Sequence, residues 1–373
     1  MGGKAVERDK RNVLLLGTTS FFNDISSETI FALLPLYVGS SGVVGILGGI
    51  ISGFGDIVKV YFGYLSDHLG KRKPVVFAGY LLSAISKFLI TMVATPFLVL
   101  VLIMDRLGKG VREGPRDAIL SVAKKKGWAF GLRQAMDTMG AVVGGLIAYY
   151  FLSSGADYVS AMRIAAFIGL GALVPLLFIR VPPFKRTEES FSKTLGHVSG
   201  RIGRVLVIAV LFGLVLISPL ILIKTSYDQL GNTGVLVYTA FNVVYALASK
   251  TLGAMSDTYG RKAVLNLSFV SAAFAFLLAF AGGWAVLPGF LLYGLALGAF
   301  RSTSGALVSD IAGRERATAL GLFQTTLGVS VFIGSSLFGI LLDTVGSVTY
   351  LLGTLLSTAS LLTYNFLLTS ARG

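Results

Sequence analysis

The stretch Gly63-Tyr64-Leu65-Ser66-Asp67-His68-Leu69-Gly70-Lys71-Arg72-Lys73 returns, 190 residues later, as Gly253-Ala254-Met255-Ser256-Asp257-Thr258-Tyr259-Gly260-Arg261-Lys262-Ala263. Asp67 and Asp257 share that offset with Gly70 and Gly260. The register holds further along, where Ala129-Phe130-Gly131-Leu132-Arg133-Gln134 matches Ala319-Leu320-Gly321-Leu322-Phe323-Gln324. One offset across separate segments means a duplicated unit. Each copy of the pattern lies between two long apolar runs, so the duplicated unit is expected to be embedded in a membrane.

Composition supports that reading. Hydrophobic residues make up 54% of the 373-residue chain and charged residues 13%, about half the roughly 25% charged residues of an ordinary soluble domain. Mean hydropathy is +0.79. Apolar runs long enough to cross about 30 Å of hydrocarbon lie at 13–38, 43–66, 74–94, 96–120, 128–152, 160–180, 204–227, 232–254, 263–281, 284–308, 317–341 and 347–369. The first run is too long for the core of a signal peptide and holds Asp24 and Glu28, so no cleavable leader is expected.

The net charge of +14 is distributed in a way that argues against nucleic acid. Lys and Arg gather in alternate loops, at 4–11, 71–73, 124–126, 180–204, 261–262 and 314–316, whereas the loops at 39–42, 153–159, 228–231 and 343–346 have none. This positive-inside bias predicts cytoplasmic termini and a cytoplasmic middle loop, in an inner (plasma) membrane protein. Cysteine is absent, which excludes disulfides, thiolate metal sites and Cys nucleophiles.

The longest polar stretch, 181–203, opens after the sixth span. The expected fold is therefore all-α, with twelve transmembrane helices in two six-helix bundles related by a pseudo-two-fold axis. Residues 1–180 would form the first bundle, 181–203 a cytoplasmic linker and 204–373 the second bundle. The short remaining loops leave no room for an enzyme domain. No phosphate-binding loop is present, so neither ATP hydrolysis nor any cofactor is expected.

The twin loop pattern resembles the G-x-L-a-D-r-x-G-r-k signature of the major facilitator superfamily. Within it, Phe21-Phe22-Asn23-Asp24-Ile25-Ser26-Ser27-Glu28, together with the run from Asp105 to Asp117, is similar to prokaryotic proton-linked efflux permeases. The resemblance implies a secondary transporter working by alternating access. It places Gly63, Asp67, Gly70 and Arg72, with Asp257 and Arg261, in gates that hold the inner side closed. Span four also matches the family's proton-linked pattern l-x-x-x-R-x-x-q-G at Leu102, Arg106 and Gly110, with Lys109 in place of Gln. Span five partly matches the antiporter glycine pattern at Gly131, Gly140 and Gly144, with Gly145 where proline is usual; that favours export.

The charges inside the spans are where solute chemistry is expected. Asp24 and Glu28 share one face of span one, and Asp105, Lys109, Arg112 and Arg116 form a stripe on span four. A lipid-facing charge costs several kcal/mol, so these residues should face a bundle interior or a wet cavity. They could neutralise one another, Asp105 or Glu113 with Arg106 and Asp137 with Arg133 or Lys59. Alternatively, Asp24, Glu28, Asp105 and Asp137 carry protons while Arg106, Lys109 and Arg112 contact solute. In the second half, Arg301 answers span four by pseudo-symmetry, and Asn242, Tyr245 and Gln324 could hydrogen-bond a ligand.

The leading expectation is a monomer that exports a small organic or amphipathic compound against protons. Organic-anion movement through an Arg-lined site is the first alternative, divalent-metal efflux through Asp24, Glu28 and Asp56 the second, and a non-transporting sensor the third. His68 and His197 are too far apart in sequence to suggest a metal centre.

Overall fold

A computed structural model describes residues 2–69, 71–120, 126–181, 191–311 and 316–369. Every described element is helical. The helices are α1 (Gly2–Val38), α2 (Ser41–Gly49), α3 (Gly55–Leu69), α4 (Arg72–Ile90), α5 (Leu98–Leu120), α6 (Lys126–Ser153), α7 (Tyr158–Leu170) and α8 (Leu173–Leu177). They continue as α9 (Phe191–Val215), α10 (Pro219–Leu230), α11 (Thr233–Thr258), α12 (Arg261–Ala281), α13 (Val286–Ile311), α14 (Arg316–Val345) and α15 (Val348–Thr369). A π-helical turn, Ile50–Phe54, joins α2 to α3. Each of the twelve apolar runs falls on a helix or on two consecutive ones. The duplication is visible in the element starts: α7 and α15 begin at Tyr158 and Val348, 190 apart.

Among the described residues, nine stretches are long and apolar enough to cross a membrane. Helices α1, α5 and α15 complete the twelve but are more polar. Charges interrupt the middle of α1 and α5, and α15 carries Ser, Thr and Asn along its length. Burial departs from that of a soluble protein in two ways: small polar residues join the apolar core, and large apolar residues face outward. Thr19, Ser26, Ser83, Ser335 and Ser357 are fully buried, whereas Leu100, Phe167, Leu247, Leu355 and Phe366 are exposed. Small polar residues between helices and large apolar ones outside are what lipid as solvent selects, since helices gain nothing by hiding leucine from hydrocarbon.

The chain divides into two compact units, residues 1–37 with 54–190 and residues 38–53 with 191–373. In the first, α5 packs against α3 and α4, and α4 against α7. In the second, α13 packs on α11 and α12, and α14 on α9 and on α2. Helix α2, from the first half of the sequence, thus lies in the second unit. Its seat is a backbone-to-backbone approach: a Cβ on Gly45 would come within 2.8 Å of Gly339 Cα. Its N-terminus is held by Asp343 of α14, which accepts hydrogen bonds from Ser40 Oγ (2.8 Å), Ser41 N (3.0 Å) and Gly42 N (2.7 Å). A carboxylate there satisfies amides that the first helical turn leaves without partners.

The seventh apolar run breaks between α9 and α10, where Pro219 has no N–H to donate and Ser218 caps α10 through Leu220 N. Freed main-chain groups are costly in a membrane interior. Here Tyr293 donates to Ile217 O at 2.8 Å and Ser218 N donates to Ser335 Oγ at 2.8 Å.

Candidate functional site

In the first unit, α1, α4, α5 and α6 surround a cavity of about 160 Å³. Helix α1 contributes Ser20, Asn23, Asp24, Ser27, Glu28 and Phe31; α4 contributes Tyr80. Helix α5 adds Arg106, Lys109, Arg112, Glu113 and Arg116, and α6 adds Arg133 and Asp137. Five cationic and four carboxylate side chains therefore face one space. Four of the cavity walls are helices, so the charges sit on rigid elements with their positions fixed by packing.

Two glycines bring α6 onto α1 beside the acidic pair. A Cβ on Gly140 would lie 2.6 Å from Phe21 O and 3.1 Å from Asp24 Cβ. One on Gly144 would lie 2.7 Å from Ile25 O and 3.0 Å from Glu28 Cβ. Only glycine allows the helices this close. Gly131, the third glycine of the same sequence pattern, has no atom of the described residues within 4 Å of such a Cβ.

Most of the charges are already paired. Asp105 and Arg106, 1% and 4% exposed, form an ion pair deep in the unit, and the Arg106 guanidinium lies 4.9 Å from the Phe31 ring centre. Glu113 sits between Lys59 (3.3 Å) and Lys109 (3.9 Å). Arg116 pairs with Asp117 at 3.0 Å, and Arg133 with Asp137 at 2.5 Å. Of the pairings expected from sequence, Asp105–Arg106 and Arg133–Asp137 form. Glu113 pairs with lysines rather than Arg106, and Lys59 pairs with Glu113 rather than Asp137.

Arg112 and Lys87 differ from these. Arg112 is 4% exposed, donates to Ser83 Oγ and lies 4.5 Å over the Tyr80 ring; its Nε is buried without an acceptor. Lys87 is 1% exposed and donates to both the main-chain O and the Oδ1 of Asn23, each at 3.0 Å. The Asn23 amide in turn donates to Asp24 Oδ1 at 2.9 Å. Among the described residues neither cation has a carboxylate within ion-pair distance. Lys87 stands behind the cavity wall and is joined to it through Asn23.

Of the candidates read from sequence, Asp24, Glu28, Arg106, Lys109, Arg112 and Asp137 line this one cavity. Asp105 lies behind Arg106. Arg301, Asn242, Tyr245 and Gln324 belong to the second unit; Arg301 is exposed, Asn242 Nδ2 is buried without an acceptor, and Tyr245 stacks on Phe241. Ser20, Asn23, Tyr80 and Ser83 are neutral and carry no signal in the sequence until the helices are placed. Lys87 is a charge within an apolar run, but nothing along the chain points to Asn23 as its partner.

The loop residues are only partly described. Gly63 and Asp67 lie in α3, with the Asp67 side chain outside the described residues, and Gly70 is outside them altogether. Arg72 donates to Ala118 O at 3.4 Å, tying α4 to α5. In the second copy Arg261 pairs with Asp257 (2.5 Å), donates to Ser256 Oγ (2.6 Å) and reaches Asp310 of α13 at 3.3 Å. Gly260, with φ of +86°, makes the turn into α12. Among the described residues no group of three or more acidic or imidazole side chains could hold a metal ion, so Asp24, Glu28 and Asp56 form no such centre.

Known proteins fit this architecture. A model of the Major Facilitator Superfamily matches residues 16–235 and 202–372. An uncharacterised MFS-type transporter of Methanocaldococcus jannaschii is 33% identical over 374 residues, covering 94% of this chain and 93% of its own. Among solved structures, a mutant of the nucleoside transporter NupG superposes with a TM-score of 0.83 at 15% identity, covering 95% of this chain and 99% of that one. A POT family transporter in complex with a thioalcohol-conjugated peptide gives 0.79 at 11% identity, over 97% and 96%. The chain belongs to the Major Facilitator Superfamily and is a multi-pass membrane transporter.

Proposed function

We infer that this transporter moves a small, charged organic solute by alternating access, coupled to protons, and that the cavity of the first unit is where solute and protons bind. The supporting observation is that five cations and four carboxylates converge on one space of about 160 Å³. Drug-sized pockets run to roughly 300–1,000 Å³ and are mostly apolar. A charged lining of this size suits a compact polar solute, or the charged head of a larger one, better than an amphipathic compound. The organic-anion reading is therefore preferred over export of amphipathic molecules.

The roles follow from accessibility. Asp24 and Glu28 face the cavity and are the proton-exchanging groups; Asp105 and Asp137, held by Arg106 and Arg133, exchange only if those pairs open. Arg106, Lys109 and Arg112 contact the solute. Arg301, Asn242, Tyr245 and Gln324 are the second unit's candidates for solute contact. The loops carrying Gly63, Asp67, Gly70 and Arg72, and Asp257 and Arg261, gate access. The alternating basic loops support an inner-membrane location with both termini in the cytoplasm.

Reconstituted proteoliposomes carrying an internal pH dye test this reading. Under an imposed pH gradient, at least one class among small carboxylates, phosphate compounds, zwitterions and organic cations should move protons with it. Proton movement by none of the four would overturn the proposal.

A further inference from the structure

Four of the five cations lining the cavity have a carboxylate within 4 Å: Arg106, Lys109, Arg116 and Arg133. Arg112 does not. It is buried, fixed by one hydroxyl and one ring face, and retains an Nε–H with no acceptor. Burying a guanidinium without a counter-charge is costly, and the usual remedy is an anion. Lys87, joined to the same wall through Asn23, is a second buried amine without an ion pair among the described residues.

We propose that Arg112 anchors an anionic group of the solute, a carboxylate or a phosphate, and that protons enter the cavity together with that anion rather than in exchange for it. This rests on the function inferred above and specifies its solute class and coupling sign. The guanidinium offers the planar fork of donors that suits both oxyanions. The sign follows from what else faces the space. Asp24 and Glu28 come from α1, Glu113 from α5 and Asp137 from α6; Tyr80 lies on α4 beneath Arg112. Glu113 and Asp137 are held by cations, whereas the Asp24 partner is the neutral amide of Asn23. An arriving anion is repelled by Asp24, and a proton there removes that repulsion. By reciprocity the anion then strengthens proton binding by the same factor. Solute and proton that favour each other travel in the same direction; solute and proton that compete are exchanged.

Purified full-length protein in detergent tests both parts. Acetate, succinate and inorganic phosphate serve as probes and choline as the cationic control, with thermal unfolding and calorimetry as readouts. The expected result is binding of a carboxylate or of phosphate, the two arms separating the classes, with affinity rising as pH falls and proton uptake in a weakly buffered solution. Arg112→Gln should lose at least about tenfold in affinity, near 1.4 kcal/mol, and Arg112→Lys less. Unchanged affinity in folded Arg112→Gln overturns the anchor. Proton release on binding, a preference for choline, or no binding of any anion at millimolar concentration overturns the proposal. If Arg112→Gln does not fold, Arg112→Lys and the wild-type proton count decide. Proton-coupled flux that survives Arg112→Gln would sink the anchor and leave the transport function standing, so the two failures are distinct.

Discussion

Lys87 and Asn23 are joined twice: the lysine ammonium donates to the main-chain carbonyl and to the side-chain oxygen of one asparagine, each at 3.0 Å. A buried amine without a carboxylate depends on such neutral acceptors. Asn23→Ala removes one of them and is expected to destabilise the protein by about 1–3 kcal/mol, read as a lowered midpoint of thermal unfolding in detergent. Asn23→Asp gives Lys87 a carboxylate but loses the amide donor to Asp24 Oδ1, so its stability should lie between that of Asn23→Ala and the wild type. Equal loss in both variants would show that the donor to Asp24, rather than the acceptor for Lys87, sets the stability.

The three glycines of span five should separate by position. Gly140→Ala and Gly144→Ala drive a methyl group into α1 beside Asp24 and Glu28, and should lower stability by about 1–3 kcal/mol while reducing transport. Gly131→Ala meets no described atom and should be neutral or gain up to about 1 kcal/mol from helix propensity. Flux and unfolding midpoints of the three variants check this ranking. A Gly131→Ala variant as impaired as the other two would contradict it.

The Arg133–Asp137 pair is suited to a double-mutant cycle. Arg133→Gln or Asp137→Asn alone leaves a half-buried charge without its partner, whereas the double variant leaves neither. A coupling energy of about 0.5–3 kcal/mol is expected. If Asp137 exchanges protons, Asp137→Asn should also flatten the pH profile of transport in a way that Arg133→Gln does not. Identical profiles for both would assign the pair a structural role alone.

Asp343 holds three donors at the start of α2, and Asp343→Ala should cost about 1 kcal/mol, the usual worth of an N-terminal cap. Asp343→Asn keeps one acceptor and should lie between. Thermal unfolding with hydrogen exchange at Ser41 and Gly42 checks it: faster exchange confined to those amides is the expected signature.

How much was legible in the sequence depends on which force set each feature. The spans and their pairing into repeats were readable because apolar length and a fixed 190-residue offset are properties of the chain itself. The charged cavity was readable in outline, since Asp24, Glu28 and the α5 stripe have no cheap place in lipid. The pairings were not. Whether Glu113 meets Arg106 or Lys59 depends on the rotation of α5 against α3, which no spacing along one helix encodes. Asn23, Ser83 and Tyr80 were overlooked for a related reason: a neutral residue becomes part of a polar network only through its neighbour on another helix. The seating of α2 in the second unit was equally hidden, because it rests on glycine contacts between segments about 300 residues apart.

That seating has a consequence for the covalent chain. Residues 38–53 leave the first unit and return to it, so the two units are stitched by three crossings of the polypeptide rather than one. A protease site engineered into 182–190 would sever only the last of them. The resulting fragments should co-purify and still transport, because one carries a helix folded into the body of the other. Expressed as two separate genes, the halves should find each other through that borrowed helix, and deletion of residues 41–49 should abolish their reassociation.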